Sequence, residues 1–273
     1  MHAEVQMNRV LHFCSLTLLF ALVACAGDDP SPSQGGGGTG GSGAEFPAAG
    51  PASVVREDTD AFVYFFPADL DAETIRPALV WFNGASGYQE DFNYNGLLES
   101  VASWGFIVIG GKSPGMNPEE SDERSALLRR NEDPADVLFG QVDVARIALA
   151  GHSLGGFQTT ESSSQYRVAV AIQGAGTPTS SEAAPTLFMT SEGDEVVPSS
   201  IVITAFERAA DDAWLAVHVS ADHNDPRTDG GVYREPLTAF LCWRLYDDDN
   251  GASWFVGDDC VLCNDADWGY ETR

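Results

Sequence analysis

A serine between glycines is the first feature of this sequence that can do chemistry. Ser153 stands in the run Gly-His-Ser-Leu-Gly-Gly of residues 151–156, directly after the apolar segment 146–150. A G-x-S-x-G run between a strand and a helix is typical of a sharp turn whose glycines relieve crowding and leave the serine hydroxyl exposed. The helix that follows points its amide groups at the serine and favours negative charge there. The pattern therefore predicts that Ser153 is a nucleophile.

A serine nucleophile needs a general base, which in proteins is most often a histidine. Two histidines follow Ser153: His218 in an alternating strand-like segment, and His223 in the turn-rich segment 222–226. A base on a loop can reach the edge of a sheet, so we predict that His223 is the base. His218 is expected to pack or to face solvent. His152, beside the nucleophile, is interpreted as a packed residue of the turn.

The base needs an acid to orient it, and the expected chain order is serine, acid, histidine. Asp194 follows a glycine turn at the end of the apolar segment 186–190, and we predict that it is this acid. The other acids considered are Glu192, Glu195, Asp222 and Asp225. The first two share the turn and remain alternatives. The last two are so near His223 in sequence that folding back on it is difficult, and they are expected to be solvated.

Short apolar segments alternate with helix-like segments from residue 53 onward. The predicted strands are residues 61–66, 78–82, 106–109, 146–150, 168–173, 186–190 and 216–219, and the predicted helices are residues 96–103, 122–130, 154–163, 197–210 and 236–246. Continuously apolar strands suit a sheet buried on both faces, and the alternation implies crossover connections. We predict one α/β domain over residues 53–273, with a mostly parallel central sheet flanked by helices.

The N-terminus resembles a targeting segment. The apolar run 10–24 has the length of a signal-peptide core and is short for a membrane span. It ends in Leu-Val-Ala-Cys at residues 22–25, which resembles a bacterial lipobox. We therefore predict a lipoprotein signal peptide over residues 1–24 and lipidation of Cys25. The alternative is an ordinary secretory signal with a coincidental cysteine.

Residues 25–52 are rich in glycine, serine and proline, which is typical of a flexible tether. A tether after a lipidated cysteine would hold the domain off a membrane. Because residue 26 is alanine rather than aspartate, analogy with known lipoproteins indicates the outer membrane or cell surface. Contact with a membrane is thus expected through the N-terminal lipid alone.

Acidic residues outnumber basic residues 41 to 14, for a formal net charge of −27. A surface of this sign repels phosphate backbones, so we expect no nucleic-acid partner. We also expect no metal, because no second pair of ligands accompanies the Cys-x-x-Cys of residues 260–263.

The Gly-His-Ser-Leu-Gly-Gly turn, the Gly-Asp-Glu-Val-Val-Pro turn of residues 193–198 and the Asp-His-Asn-Asp loop of residues 222–225 together resemble a known family. The resemblance is to the bacterial cutinase and poly(ethylene terephthalate) hydrolase branch of the α/β-hydrolases, and it runs from about residue 60 to about residue 245. It implies an α/β-hydrolase fold without a large lid, an open site, and hydrolysis of carboxylic esters without a cofactor.

The resemblance also implies where an oxyanion hole would lie. Its backbone N–H donors are predicted to be Leu154 and either Ala85 or Ser86. Tyr88 and Phe92 are predicted to line the acyl site. One departure concerns residues 174–176, which read Gly-Ala-Gly where the polyester hydrolases usually have an aromatic residue.

Three cysteines lie beyond the signal and the anchor: Cys242, Cys260 and Cys263. An exported protein can oxidise such thiols. We predict a disulfide between Cys260 and Cys263. The alternative, which the resemblance implies, is that Cys242 ties the last helix to the tail.

The leading hypothesis from sequence is a monomeric serine ester hydrolase that forms an acyl-enzyme on Ser153 and acts on short-chain esters and polyesters. One alternative is acyl transfer by the same three residues to an acceptor other than water. A second is a surface lipoprotein that binds a ligand without catalysis.

Overall fold

A computed structural model describes residues 46–71, 73–86, 93–115, 122–177, 183–209 and 212–273. The strands in these residues are β1 (Val54–Asp58), β2 (Phe62–Pro67), β3 (Arg76–Phe82), β4 (Ile107–Gly111), β5 (Val142–His152), β6 (Val168–Ile172), β7 (Thr186–Ser191), β8 (Ala213–His218) and β9 (Trp268–Thr272). The α-helices are α1 (Asn95–Ser103), α2 (Asp122–Glu132), α3 (Leu154–Ser162), α4 (Ser199–Glu207), α5 (Arg234–Tyr246), α6 (Asp249–Ala252) and α7 (Val261–Asn264).

The strands form one sheet in the order β1-β2-β4-β3-β5-β6-β7-β8-β9. The six strands from β4 to β8 in that order run parallel, and β1, β2 and β9 pair antiparallel at the two edges. The central strands are apolar throughout and are buried on both faces, as β3 and β6 illustrate. The prediction of an α/β fold with a mostly parallel sheet flanked by helices is confirmed.

Helices cover both faces of the sheet. Leu79 and Trp81 of β3 belong to a core that includes residues of α1 and α5. Val80, which points to the opposite face of the same strand, packs in a second core with residues of α2. A third core joins α4 to strands β6–β8 through Val202 and Phe206. The resulting helix–sheet–helix layering keeps the central strands, and the residues at their ends, fixed in place.

The predicted segments differ from the observed ones mainly at the edges of the domain. Strands β1 and β9 are half-exposed, so they lack the apolar runs that identified the central strands. Helices α6 and α7 have four residues each, too few for a helical pattern to emerge. Cys260, the residue before α7, and Cys263 within α7 lie at disulfide distance, as predicted, whereas Cys242 is buried in α5.

Residues 46–52 were predicted from composition to be part of the flexible tether, but in the structure they pack on the domain. Phe46 is buried against Trp104 and Trp254, with ring centroids 4.9 and 6.2 Å away. The Gly50 N–H donates to the Ser103 hydroxyl at 2.7 Å. A single aromatic side chain therefore places the domain boundary at or before residue 46. Cys25 and the predicted signal peptide lie outside the described residues.

None of the helices in the described residues is long and apolar enough to cross a membrane.

The order of strands fixes where a ligand site can form. From β3 the chain moves to β4 on one side, and β5 then returns to the other side of β3, so the direction of winding reverses between β3 and β5. In open parallel sheets, ligands bind outside the carboxyl ends of the strands at such a reversal. Here that point lies between the β3 loop, residues 83–86, and the elbow, residues 151–155.

Candidate active site

The elbow holds Ser153 in a backbone conformation that L-residues rarely adopt. Its φ and ψ are 55° and −117°, a strained combination for a residue with a side chain. The Ser153 N–H donates to the Ile172 carbonyl at 2.9 Å, which joins the turn to β6. A Cβ atom on Gly155 would lie 2.1 Å from the Phe82 carbonyl oxygen, so only glycine fits there. The turn thus projects the half-buried Ser153 side chain above the carboxyl ends of the strands.

Three side chains predicted from sequence form one hydrogen-bonded chain. The Ser153 hydroxyl lies 3.0 Å from Nε2 of His223, and Nδ1 of His223 lies 2.8 Å from Oδ2 of Asp194. Asp194 and His223 are both buried, at 6% and 8% exposure. The structure therefore brings the predicted nucleophile, base and acid together in that order.

The surroundings of Asp194 fix the tautomer of His223. The Oδ1 atom of Asp194 accepts from the N–H groups of Val196 and Val197, each at 2.8 Å. A carboxylate bound in this way has only acceptor oxygens, so the proton between it and His223 belongs to Nδ1. The Nε2 atom of His223 is then without a proton and can accept the hydroxyl proton of Ser153.

The alternative acids point elsewhere. Glu192, Glu195 and Asp222 are exposed, whereas Asp194 is buried. Asp225 accepts from the Asp222 N–H at 3.0 Å, and Asp222 in turn accepts from the Asn224 N–H at 2.8 Å. These two acids therefore shape the loop that carries His223.

His218 is built into the strand end. Its Nδ1 atom accepts from the N–H groups of Ser220 and Ala221 at 3.1 and 2.9 Å, and its ring packs edge-on against Trp268. These contacts hold the ring of His218 in place and stabilise the loop after β8.

Two backbone N–H groups beside Ser153 are available to a ligand. Within the described part of the chain, no acceptor binds the N–H of Leu154 or of Ala85, both of which are exposed residues. The register of β3 and β5, in which Phe82 lies beside Gly151, places the β3 loop next to the elbow. These are two of the donors predicted from sequence. Ser86, the alternative, accepts a hydrogen bond from Arg227 through its hydroxyl.

A groove begins close to Ser153. The backbone of Gly174 contacts Ser153, since a Cβ atom on Gly174 would lie 2.3 Å from the Ser153 carbonyl oxygen. The groove that starts at the next residue has a volume of about 330 Å³ and is lined by Ala175, Gly176, Thr177, Ser200, Ile201, Thr204, Ala205 and Arg208. No aromatic side chain of the described residues lines it. Tyr88 and Phe92, predicted to line the acyl site, lie outside the described residues.

A larger hollow of about 630 Å³ lies elsewhere, between β2 and α2. Arg130 crosses it, paired with Glu57 and Asp136 at 2.7 Å each. Because none of its lining residues is a histidine beside a hydroxyl or thiol, the candidate site is the one at Ser153. In the described residues, no three acidic, histidine or cysteine side chains are grouped as a metal would require.

Sequence reasoning missed two residues at the site and the contacts of a third. Tyr94 and Arg227 make hydrogen bonds to the β3 loop. The two ring nitrogens of His152 contact the Tyr94 hydroxyl on one side and the backbone carbonyl of His223 on the other. The guanidinium of Arg227 lies over the ring of Tyr94, 5.3 Å from its centroid. Tyr94 precedes His152 by 58 residues, so no local pattern could have linked them.

No protein-family model matches the sequence, and no curated protein matches it either.

Proposed function

We propose that this protein is a serine carboxylic-ester hydrolase of the cutinase and polyester hydrolase type, with an α/β-hydrolase fold. The observation that carries the proposal is the chain from Ser153 through His223 to Asp194, beside the available N–H groups of Leu154 on the strained elbow and of Ala85 on the β3 loop. A nucleophile, its base, the base's orienting acid and oxyanion donors are the four parts that acyl transfer requires. Ser153 and the two N–H groups lie where the winding of the sheet reverses, and Asp194 and His223 reach Ser153 from the loops after β7 and β8.

The first half of the proposed reaction forms an acyl-enzyme. The Ser153 oxygen attacks the ester carbonyl carbon while His223 Nε2 takes the hydroxyl proton. The carbonyl oxygen becomes negatively charged and accepts from the N–H groups of Leu154 and Ala85. Asp194 stabilises the imidazolium through its hydrogen bond to Nδ1. The ester C–O bond then breaks, and His223 gives its proton to the departing alcohol.

The second half releases the acid. Water enters beside His223, which takes one of its protons as the oxygen attacks the acyl carbon. The tetrahedral species collapses, the bond to Ser153 breaks, and His223 returns the proton to the serine oxygen. No oxidant, reductant or cofactor enters either half.

The rim of the site supports small or flexible aliphatic esters as substrates. Leu154, Val196 and Ile201 have exposures of 38%, 65% and 41%, so they offer apolar surface to an acyl or alcohol chain. Gly174, Ala175 and Gly176 supply no ring on which an aromatic substrate could stack. Arg208, at the groove, is the group that would meet an anionic end of a cleaved ester.

We further propose that the protein is exported as a monomeric lipoprotein held at the outer membrane or cell surface by Cys25. The support is the run of residues 10–25 and the tether that follows it. Incorporation of radiolabelled palmitate into the full chain, and its loss in Cys25→Ala, would test this. An unlipidated, freely secreted wild type would contradict it.

Product analysis tests the proposed reaction against its alternatives. The purified protein is given p-nitrophenyl esters with acyl chains from acetyl to dodecanoyl, with and without an added alcohol. We expect free acid as the main product and the highest kcat/KM on short chains. Predominant transfer to the alcohol would make the protein an acyltransferase, and the absence of any turnover would leave a binding protein.

A further inference from the structure

A buried hydrogen-bond network links the two loops that flank Ser153. The Gly84 N–H donates to the Tyr94 hydroxyl at 3.1 Å, and that hydroxyl lies 2.7 Å from Nδ1 of His152. On the other side of the ring, Nε2 of His152 lies 2.8 Å from the carbonyl oxygen of His223. Tyr94 is 2% exposed and His152 is fully buried. The network therefore joins the β3 loop to the backbone of the proposed base.

The partners of His152 determine the direction of every hydrogen bond. A carbonyl oxygen can only accept, so Nε2 of His152 carries the proton and donates it to His223. The Nδ1 atom is then an acceptor, and the Tyr94 hydroxyl donates to it. Burial raises the pKa of Tyr94, so the hydroxyl keeps this proton. The Tyr94 oxygen remains free to accept from Gly84.

His152 stays neutral over the whole range in which an esterase works. Burial, with a smaller contribution from the charges of His223 and Arg227, lowers the pKa of His152 to about 3. A neutral ring has one donor and one acceptor, which is what this network needs. A protonated ring would have two donors and would break the bond from Tyr94.

We infer that Tyr94 and His152 are positioning residues that set the oxyanion donor and the proposed base in register with each other. This inference rests on the proposed function. Holding Gly84 fixes the peptide that precedes the Ala85 N–H. Holding the His223 carbonyl fixes the backbone from which its imidazole reaches Ser153 and Asp194. His152 also directly precedes Ser153 in the chain. The network therefore holds the Ala85 N–H, the His223 imidazole and the Ser153 hydroxyl as one unit.

The arrangement stabilises the transition state more than the bound substrate. A displacement of about 1 Å in a catalytic group can reduce turnover by about 100-fold, while ground-state contacts hardly change. Oxyanion donors also act mainly when negative charge develops. Loss of the network should therefore lower kcat and leave KM nearly constant.

The test uses Tyr94→Phe, His152→Gln and the double variant, with Ser153→Ala and wild type in the same series. Tyr94→Phe keeps the ring and removes both hydrogen bonds of the hydroxyl. His152→Gln replaces the rigid ring, whose donor and acceptor nitrogens point in different directions, with a flexible amide that does not hold Tyr94 and the His223 carbonyl in the same geometry. We expect each single variant to lose between about 10- and 100-fold in kcat on p-nitrophenyl butyrate with KM within about twofold. The double variant should lose no more than the worse single one, because the residues act as a unit.

Tyr246→Phe is the matched control. Its hydroxyl, like that of Tyr94, makes a hydrogen bond within the fold: it donates to the Gly105 carbonyl at 2.9 Å, near the amino end of β4 and away from Ser153. This variant should keep the kcat of wild type. Unchanged kcat in Tyr94→Phe would overturn the inference, and so would losses that multiply in the double variant. The proposed function would still stand in either case if Ser153→Ala is inactive. Full activity in Ser153→Ala would instead remove the proposed function.

A measurement without turnover tests the same geometry. Nitrogen-15 NMR of the wild-type imidazoles should show His152 protonated at Nε2 alone, and in Tyr94→Phe its Nδ1 signal should shift. A proton on Nδ1, or a doubly protonated ring at neutral pH, would contradict the network even if a variant failed to fold.

Discussion

Phe82 and Gly151 are register partners on β3 and β5, and this pairing places the β3 loop against the elbow. The two segments also contact each other at Gly155, in the first turn of α3. A Cβ atom on Gly155 would lie 2.1 Å from the Phe82 carbonyl oxygen. The oxyanion donors proposed on the two loops thus depend on one close backbone contact, and this contact can be tested.

Gly155→Ala should damage the elbow. The new methyl group must displace backbone rather than a flexible side chain, and overpacking of this kind typically costs about 1–3 kcal/mol or more. We expect a lower midpoint in urea unfolding together with loss of esterase activity. Gly269→Ala is the control, because its Cβ atom would meet only ordinary contacts at 3.8 Å and beyond. A Gly155→Ala protein with wild-type stability and activity would show that the contact can relax.

His223 and His218 should differ sharply on substitution. His223→Ala removes the group that lies 3.0 Å from the Ser153 hydroxyl, so turnover should fall by at least about three orders of magnitude. His218→Ala loses contacts to the loop after β8 and to Trp268, none of which involves Ser153, and should keep most of its kcat. Steady-state kinetics on p-nitrophenyl butyrate decides between them. An active His223→Ala beside an inactive His218→Ala would mean that the base is assigned to the wrong histidine.

Asp194→Asn should be inactivating to a lesser degree than His223→Ala. The amide preserves the shape of the side chain, but it can no longer stabilise the imidazolium or hold the Nδ1 proton as a carboxylate does. Stopped-flow and steady-state rates should both fall by a large factor, yet remain measurable above the rate of Ser153→Ala. Equal activity in Asp194→Asn and wild type would exclude the proposed acid, and Glu192→Gln provides an exposed control on the same turn.

Burial of His152 predicts how stability depends on pH. Its pKa is lowered from 6.5 to about 3, so below pH 6.5 the unfolded chain binds a proton that the folded protein does not. This contribution is present in full above pH 6.5 and is lost as the pH falls toward 3, at up to about 1.4 kcal/mol per pH unit. Urea unfolding of wild type and His152→Gln across this range should therefore give curves that converge on acidification. Parallel curves would contradict a neutral, buried His152 in the folded protein.

Substrate choice follows from the rim. Without a described aromatic side chain at the groove, ring stacking worth about 1 kcal/mol per contact is missing. We expect good rates on short aliphatic esters, measurable rates on aliphatic polyester films and slow attack on poly(ethylene terephthalate). Because the net charge is −27, added salt should speed attack on anionic polymer surfaces and leave a neutral soluble ester unaffected. Rapid terephthalate release at low salt would show that this description of the rim is wrong.

Local patterns were sufficient to predict the centre of this fold and the three side chains that the structure brings together at the candidate site. The apolar strands and the glycines around Ser153 carry their signal within a few residues, and Asp194 and His223 follow strand ends where such residues are expected. Strands β1 and β9 escaped prediction because half-exposed edge strands mix polar and apolar residues. The contacts of Tyr94 and His152 arise only when β3 and β5 become neighbours, and nothing in the order of residues records that pairing.

The most direct test of the central claim is covalent labelling of the nucleophile. A fluorophosphonate probe reacts with a serine that an adjacent base activates. Peptide mass spectrometry of the labelled wild type should find Ser153 modified, with loss of ester hydrolysis in proportion to labelling. Ser153→Ala should keep its fold, take up no probe and lose at least about three orders of magnitude in turnover, while the exposed Ser220→Ala should behave as wild type. Labelling at another residue, or hydrolysis retained in purified Ser153→Ala, would contradict the account.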